Sequence, residues 1–568
     1  MISDRRRTLV RLGIALDLAM IATGAAFLLP PQPAMLLVLY FATVIAAAFV
    51  TGWDGGATAT GFALVALAVM FNENLALAHY AVFAMAGAIV CGITWRLRRE
   101  GIEFSGERLW RAAAGTSTDD VHIPAPFRVP RMVLRYALPL LVFFIYWNVS
   151  DIASRILRIP SLLQPMIVVL AALVWKYRTV FRPSGIVAQP VTLLLVCYTA
   201  LLFVSTVWAE NLSFADDRVV DTVKNLLILL IAGSLAVSWA ALRRALMALT
   251  IAAAALASVS IVQILTNQTF GQLGGFARVE VGTIYAKSSD MRAAGPVGDP
   301  NFYAQILVMA VPLGLYLAYS ALRRRERQLW MVVTALVAGG VLVTYSRGAM
   351  LALGVMTGIA VLALRVPVTR IAIAGAAAVG LLLIAPGNVS KRLESLQVLL
   401  PGGTSGEVDH DSSVEKRKLL LRTAALMFDE HLAFGVGTGN FSSSYPEYAN
   451  RVGSAAKQYD EPGDRMFAHT LYLEIGAENG LAGLALFLGA MGSALAALWH
   501  CRHLQLLRGH EHHAMLLLAL ALALAGYLMT SLFLHGAFQR YLWMLLAFVT
   551  AATRLTTTAS NHIGEAAA

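Results

Sequence analysis

Apolar runs of about 20 residues recur along this chain of 568 residues, and each is long enough to cross a bilayer core about 30 Å thick as one α-helix. The chain is 58% hydrophobic and 14% charged, with a mean hydropathy of +0.68, whereas a soluble domain carries roughly 25% charged residues. One or two water-soluble domains cannot absorb that much apolar sequence. Runs bounded by charges, Pro or Gly predict about sixteen helices. They lie near 9–29, 34–51, 57–71, 75–95, 132–149, 161–175, 190–208, 223–241, 243–266, 301–320, 330–345, 348–365, 369–386, 470–499, 514–534 and 537–554. The fold class expected is an all-α polytopic membrane protein.

Charge placement orients these spans. Arg5-Arg6-Arg7, Arg96 to Arg99, Lys176 to Arg182, Arg243-Arg244, Arg323 to Arg327 and Arg365 to Arg370 all fall on one side of the threading, and the positive-inside rule makes that side cytoplasmic. Inside then lie roughly 26 Lys or Arg against roughly 11 Asp or Glu, and outside roughly 18 against roughly 22. The net charge of +11 is thus a topological signal and not a nucleic-acid footprint. Cys91, Cys197 and Cys501 sit within or beside apolar runs without metal-ligand spacing, which supports neither a disulfide framework nor a zinc site. The basic start, Met1 to Arg11, precedes an apolar run without a small-residue cleavage site and reads as a retained signal anchor.

Residues 1–95 form an accessory module of about four helices, 96–131 a polar cytoplasmic linker, 132–554 a core of about twelve helices, and 555–568 a cytoplasmic tail. Two outward segments, about 267–300 and about 387–469, are too long to be mere connectors. The larger contains Gly402-Gly403-Thr404-Ser405-Gly406 and then a stretch from Ser413 to Phe428 compatible with a surface helix through Val414, Leu419, Leu421, Ala425 and Phe428.

Four polar constellations gather on the outward side. In Arg292-Ala293-Ala294-Gly295-Pro296-Val297-Gly298-Asp299-Pro300-Asn301, Asp299 is placed as an N-cap and Pro300 as the first helical residue. That is either a well-made helix start or, with Arg292 and Asn301 beside free N–H groups, an anion site suited to a diphosphate. In Thr344-Tyr345-Ser346-Arg347-Gly348, Arg347 either snorkels to the interface or supplies a planar fork for phosphate. Phe434-Gly435-Val436-Gly437-Thr438-Gly439-Asn440-Phe441 lacks the Lys-Ser/Thr ending of a nucleotide loop, and is either a tight turn or a place where backbone approaches a sugar or phosphate.

The sharpest is His469-Thr470-Leu471-Tyr472-Leu473-Glu474-Ile475-Gly476-Ala477-Glu478-Asn479-Gly480-Leu481-Ala482-Gly483, where the long loop enters the membrane. On a continuous helix Tyr472, Gly476, Gly480 and Gly483 share the side of His469, the glycines reading as a packing seam. His469 is either an interfacial histidine or a general base for an acceptor hydroxyl. Glu474 and Glu478 form an i,i+4 pair of acids inside a span, where acids are functional suspects. Asp409-His410-Asp411 spells a D-x-D, but in a Gly/Ser-rich stretch it reads as solvated acid, and no metal or other cofactor is expected.

Taken in order, Trp208-Ala209 to Lys224, Arg292 to Asn301, Ser346-Arg347-Gly348, Gly435 to Phe441 and His469 to Gly483 resemble the bacterial O-antigen ligase and O-antigen polymerase superfamily over about 132–554. The resemblance implies a GT-C-like bundle with a large periplasmic loop in the inner membrane. It also implies a glycosyltransferase that takes glycan from an undecaprenyl-diphosphate carrier and passes it to a lipid A core or to another lipid-linked glycan. By the same resemblance Arg292 and Arg347 hold the diphosphate and His469 is the base. Lys224 is a third cation, and Asp299, Asn301, Ser346, Gly437, Asn440, Tyr472 and Glu474 support the site.

The chemistry expected is attack by the acceptor hydroxyl on the anomeric carbon, with inversion, the leaving diphosphate stabilised by arginine and no metal required. The partners are the lipid-linked donor, the acceptor and membrane lipids, with no nucleic acid. The alternative from another class is a lipid-linked glycan flippase or other polysaccharide transporter, which predicts charge along a central pathway. The spans from 301 to 386 are nearly free of buried charge, which favours chemistry at the outer face.

Overall fold

Without water to bond, backbone N–H and C=O groups in a bilayer must pair within the protein, and helices are the way to do that segment by segment. The computed structural model describes residues 129, 131–157, 162–281, 291–364, 412–452, 465–536 and 539–567. The expected module at 1–95, the linker, the span near 369–386, the 402–406 glycine run and the Asp409-His410-Asp411 triplet lie outside the described residues.

The described chain runs through α1 (Arg131–Tyr146), α2 (Val149–Leu157), α3 (Leu163–Lys176), α4 (Arg178–Phe181), α5 (Ser184–Val187), α6 (Pro190–Ser205), α7 (Leu212–Leu235) and α8 (Trp239–Thr266). A two-stranded antiparallel hairpin follows, β1 (Arg278–Val281) and β2 (Met291–Gly295), with Glu280 opposite Arg292. Then come α9 (Pro300–Tyr319), α10 (Arg324–Val343), α11 (Arg347–Leu364), α12 (Ser412–Glu430), α13 (Phe441–Val452), α14 (Leu471–Leu507), α15 (Glu511–Thr530) and α16 (Arg540–Ala567). Seven of the described helices are long and apolar enough to span, or eight if α3 and the segment Arg178–Val187, bent by 86°, make one broken span. The chain is a multi-pass membrane protein. Its last helix continues to Ala567, through the stretch expected to be a tail.

The described residues fall into two compact units. Of the described residues, the first takes in those up to Leu170, with Leu235–Ser346 and His510–Ala519. At its centre lies α8, whose alanines let neighbours approach closely. Gly340 of α10 leaves the room that Ala257 fills, since a Cβ there would lie 2.5 Å from the Ala257 side chain. Hydroxyls buried in α8 bond back along the helix, Ser258 to the Ala254 carbonyl at 2.7 Å and Thr250 to the Leu246 carbonyl at 2.8 Å.

One expectation is corrected in this unit. Arg243 and Arg244 do not form a basic link between spans. The link is shorter, with Ser238 capping α8 at Ala241 N, and both arginines are buried inside the helix. Arg243 pairs with Glu326 at 3.3 Å, so what reads in sequence as a solvated cation is one half of a buried ion pair.

The second unit comprises Ala171–Ser234, Arg347–Gly509 and Leu520–Ala568. Here α6 packs along α14, and α12 with α13 forms a helical pair over the start of α14. The buried stripe of α12 is Leu420, Ala424 and Met427, set against Phe441, Tyr445, Tyr448 and Ala477. Exposed Ala425 turns away from it. At another end of the unit, the buried Arg554 of α16 donates to the carbonyls of Phe181 at 3.0 Å and Gly233 at 3.3 Å, near the ends of α4 and α7.

Candidate functional site

The glycine run and the start of α14 make one construction in the second unit. At Gly480 the helix breaks, with φ 64° and ψ −164°, a region open to glycine alone. A break frees carbonyls on one side and N–H groups on the other, and a buried helix must find them partners. The run supplies both. Val436 N and Gly437 N donate to the carbonyls of Ala477 and Glu478, each at 2.9 Å. Leu481 N and Ala482 N donate to the carbonyls of Leu432 and Ala433 at 2.7 and 3.2 Å.

The fit needs bare glycine. A Cβ on Gly435 would lie 2.3 Å from the Glu478 backbone, and one on Gly480 would lie 2.3 Å from Phe434 N. Gly437, at φ 103°, faces the Ala209 backbone. The expected single glycine face below His469 is therefore corrected: Gly476 does pack under Phe428, but the helix turns out of register at Gly480, and the wheel drawn from His469 stops there.

Asn440 is wholly buried and clasps the chain before α7: its Oδ1 accepts from Asn211 N at 2.6 Å and its amide donates to the Asn211 carbonyl at 3.3 Å. Gly437 and Asn440 thus both act through packing and backbone pairing. Glu478 accepts from Phe441 N at 3.3 Å, a carboxylate at the start of α13.

His469 sits in the left-handed region, φ 53°, immediately before extended Thr470, the N-cap of α14. Its ring stands edge-on to His535 at 5.8 Å, and His535 lies flat on Phe467 at 4.0 Å. The segment that carries His535 is pinned from three sides. Leu471 N donates to the Ser531 carbonyl at 3.1 Å, Arg218 Nη1 to the Gly536 carbonyl at 2.8 Å, and Gly536 N to Glu474 Oε1 at 3.3 Å. Arg218 also pairs with Glu474 at 2.6 Å, and the Glu474 side chain is 2% exposed.

Glu474 therefore holds a guanidinium and a loop in place. Tyr472 commits its hydroxyl to the Leu528 carbonyl at 2.7 Å. Arg347 opens α11, and the following Gly348 lies under the Phe533 ring, on the same 531–536 segment as His535. Lys224 pairs with Asp221 at 3.1 Å on the surface of α7.

Above α14, His431 Nε2 and the Tyr448 hydroxyl are 2.8 Å apart, joining the end of α12 to α13. Two hydrogen bonds from Arg451 hold the Glu430 carboxyl below the usual carboxylate range. Burial, and then the Glu430 charge, push the Tyr448 hydroxyl up.

In the first unit Asp299 is the N-cap, accepting from Asn301 N at 2.7 Å and Phe302 N at 3.0 Å, with Pro300 first in the helix as the sequence predicts. Arg292 donates from Nε to the Thr344 carbonyl at 3.2 Å, from Nη2 to Asn301 Oδ1 at 3.3 Å, and from Nη1 to Glu280 across the hairpin at 3.0 Å. It thus gathers the Asp-Pro-Asn helix start and the end of α10. Ser346 N, buried, donates to Thr344 Oγ1 at 3.3 Å. The glycines of this motif are structural too, since Gly295 lies under the Tyr303 ring and Gly298 under Arg278.

Arg218 and His535 are the residues that sequence reasoning passes over. Arg218 sits among Asp216, Asp217 and Asp221 and looks like part of a solvated charge run, and His535 stands in a short connection without a motif. The one signal available was Glu474 itself, since an acid buried in a helix demands a cation somewhere.

No curated protein matches the chain. Residues 332–488 match the family model Wzy_C, described as O-antigen ligase. That stretch contains Arg347, Gly437, Asn440, His469, Tyr472 and Glu474, while Arg218, Lys224, Arg292, Asp299 and Asn301 precede it. The matched stretch, 332–488, holds the helix opened by His469 and the glycine run that clasps its break, and it is similar to the O-antigen ligase family, which supports the resemblance to the O-antigen ligase and polymerase superfamily.

Proposed function

We propose that the protein transfers glycan from an undecaprenyl-diphosphate carrier to an acceptor hydroxyl at the periplasmic face of the inner membrane, the acceptor being a lipid A core or a second lipid-linked glycan. The observation that carries this reading is the 531–536 segment. It lies against Gly348, next to Arg347, and against the start of α14, next to His469, and Arg218 with Glu474 fixes it there. A cation and a base drawn to one rigid segment is what displacement of a diphosphate requires.

In this mechanism the acceptor oxygen gives its proton to the His469 imidazole and forms a bond to the anomeric carbon, while the bond from that carbon to the diphosphate oxygen breaks. The centre inverts, and undecaprenyl diphosphate leaves. Arg347 stabilises the charge that grows on the leaving group, with Lys224 a further cation in the same unit, and Arg292, in the other unit, is a candidate diphosphate ligand by itself. Asn301, Asp299 and Ser346 keep the Arg292 side in shape. Gly437, Asn440, Tyr472 and Glu474 do the same around His469, as positioning residues.

The test is transfer from purified undecaprenyl-diphosphate donor in detergent, without nucleotide, offering lipid A core and lipid-linked repeat in turn. His469→Ala and Arg347→Ala are expected to lose about 10²–10⁴-fold in rate while remaining folded by size-exclusion chromatography. Use of one acceptor decides ligase from polymerase. Absence of undecaprenyl diphosphate release with every acceptor overturns the reading in favour of transport.

A further inference from the structure

Helix α14 has more residues than a membrane needs: counted along the chain through the Gly480 break, its 37 residues come to about 55 Å at about 1.5 Å each, against a hydrocarbon core of about 30 Å. Its sequence shows which part crosses. From Leu481 to Trp499 there is no charged residue, a stretch of about 28 Å. Glu478 and Asn479 stand before it and His500, Arg502 and His503 after it. The Gly480 break falls at one end of this stretch. At the other, the exposed Trp499 has the Arg502 guanidinium 5.5 Å from its ring, the arrangement of an aromatic and a cation at a membrane surface.

The chain around the break is apolar and outward-facing. Leu432 and Ala433 are tied by their carbonyls to Leu481 N and Ala482 N, which sets them at the height of the break. Exposed apolar side chains at that height include Leu432, Ala433, Phe434 and Leu481, with Trp208 edge-on to Phe434 at 6.0 Å, and His431 is exposed beside them. The same surface continues without a charged residue onto the outward faces of two spans, through Phe203 and Val204 of α6 and Leu488 of α14.

We infer that Gly480 marks the membrane boundary on the His469 side and that the tip Leu432–Phe434 is a wedge seated among lipid acyl chains at that boundary. Continuity with the bare faces of α6 and α14 names the occupant, because lipid is the solvent that an exposed apolar face of a span meets. The backbone of the tip would be intolerable in hydrocarbon by itself, but the break in α14 takes up the Leu432 and Ala433 carbonyls. It follows that Leu471–Asn479, with Glu474 and Glu478, stands beyond the hydrocarbon, where the Arg218 pair meets a smaller desolvation cost.

The inference is tested on the full chain with Cys91, Cys197 and Cys501 replaced by serine, in vesicles of phosphatidylcholine and phosphatidylglycerol. Phe434→Cys, Leu481→Cys and, as a water-facing control on α13, Glu447→Cys each carry a bimane label. Lipids brominated near the carboxyl end of the chain are expected to quench the labels at 434 and 481 at least threefold more than the label at 447, and aqueous iodide at least threefold less. Leu432→Cys replaces Phe434→Cys if the latter does not fold. Iodide quenching at 434 equal to that at 447 overturns the inference, as does protection of 434 from both quenchers, which would mean that protein covers the tip.

Discussion

Glu474 and Arg218 show how one side chain can set the position of several others. The carboxylate is buried with a guanidinium that keeps about a fifth of its surface, and the two share Gly536 between them. Removing one partner of a buried pair leaves the other charge uncompensated, at a cost of about 3–5 kcal/mol. Because Arg218 is partly exposed, Glu474→Ala is expected near the lower end, about 3 kcal/mol, read as a fall in thermal unfolding temperature in detergent. Glu474→Gln should cost less, since an amide oxygen can still accept from Gly536 N, and should recover part of the transfer rate lost in the alanine variant. Equal loss in the two would mean that the carboxylate does more than position. Glu474 was legible in the sequence as an acid where acids are costly, but Arg218, 256 positions away, was not, because pairing at that distance leaves no local pattern. The Asp299 cap was legible for the opposite reason: N-cap, proline and first turn are neighbours in the chain.

A helix carries its own comparison in Gly480 and Gly492. Both lie in α14, and in sequence both look like small residues in an apolar run. Gly480 has positive φ, and a Cβ would fall on the Phe434 and Ala433 backbone, whereas Gly492 has nothing within 4 Å of a Cβ. Gly480→Ala is therefore expected to destabilise by about 3 kcal/mol or more, and Gly492→Ala to stabilise by about 0.5–1 kcal/mol through helix propensity alone, both from thermal unfolding. A stabilising effect at 480 would show that the helix can run straight there. Periodicity could not find the break, since a left-handed glycine and a packing glycine are the same letter; only the run at 434–441, far off in sequence, answers it. The α12–α13 pair adds a pH effect. The carboxyl of Glu430 is held below its ordinary range by Arg451, so its contribution is present above the carboxyl's unfolded value and is lost as pH falls through the lower folded one. Hydrogen exchange in 441–452 should accelerate on acidification, and Arg451→Gln should remove that acid dependence.

At the scale of the whole molecule, topology rests on which helix ends meet within each unit. In the first, Trp239 at the start of α8 stacks on His513 at the start of α15 at 4.3 Å, and Tyr319 at the end of α9 lies 5.7 Å from His512. Arg243 near the start of α8 pairs with Glu326 near the start of α10. Starts of α8, α10 and α15 and the end of α9 thus share one side, the parity that the basic run Arg323 to Arg327 demands by the positive-inside rule. In the second unit the charge-free stretch of α14 ends at His500 and Arg502, which the same rule turns inward. These signs become measurable with single cysteines in intact cells. Within the first unit, Arg325→Cys should be shielded from a membrane-impermeant maleimide until the cells are opened, and Gln268→Cys at the hairpin end should react at once. Within the second, His503→Cys should be shielded and Glu447→Cys reactive. Reaction of Arg325→Cys in intact cells would invert the first unit and place Arg292 on the cytoplasmic side, where the proposed donor site could not use a carrier presented to the periplasm; reaction of His503→Cys would do the same to His469.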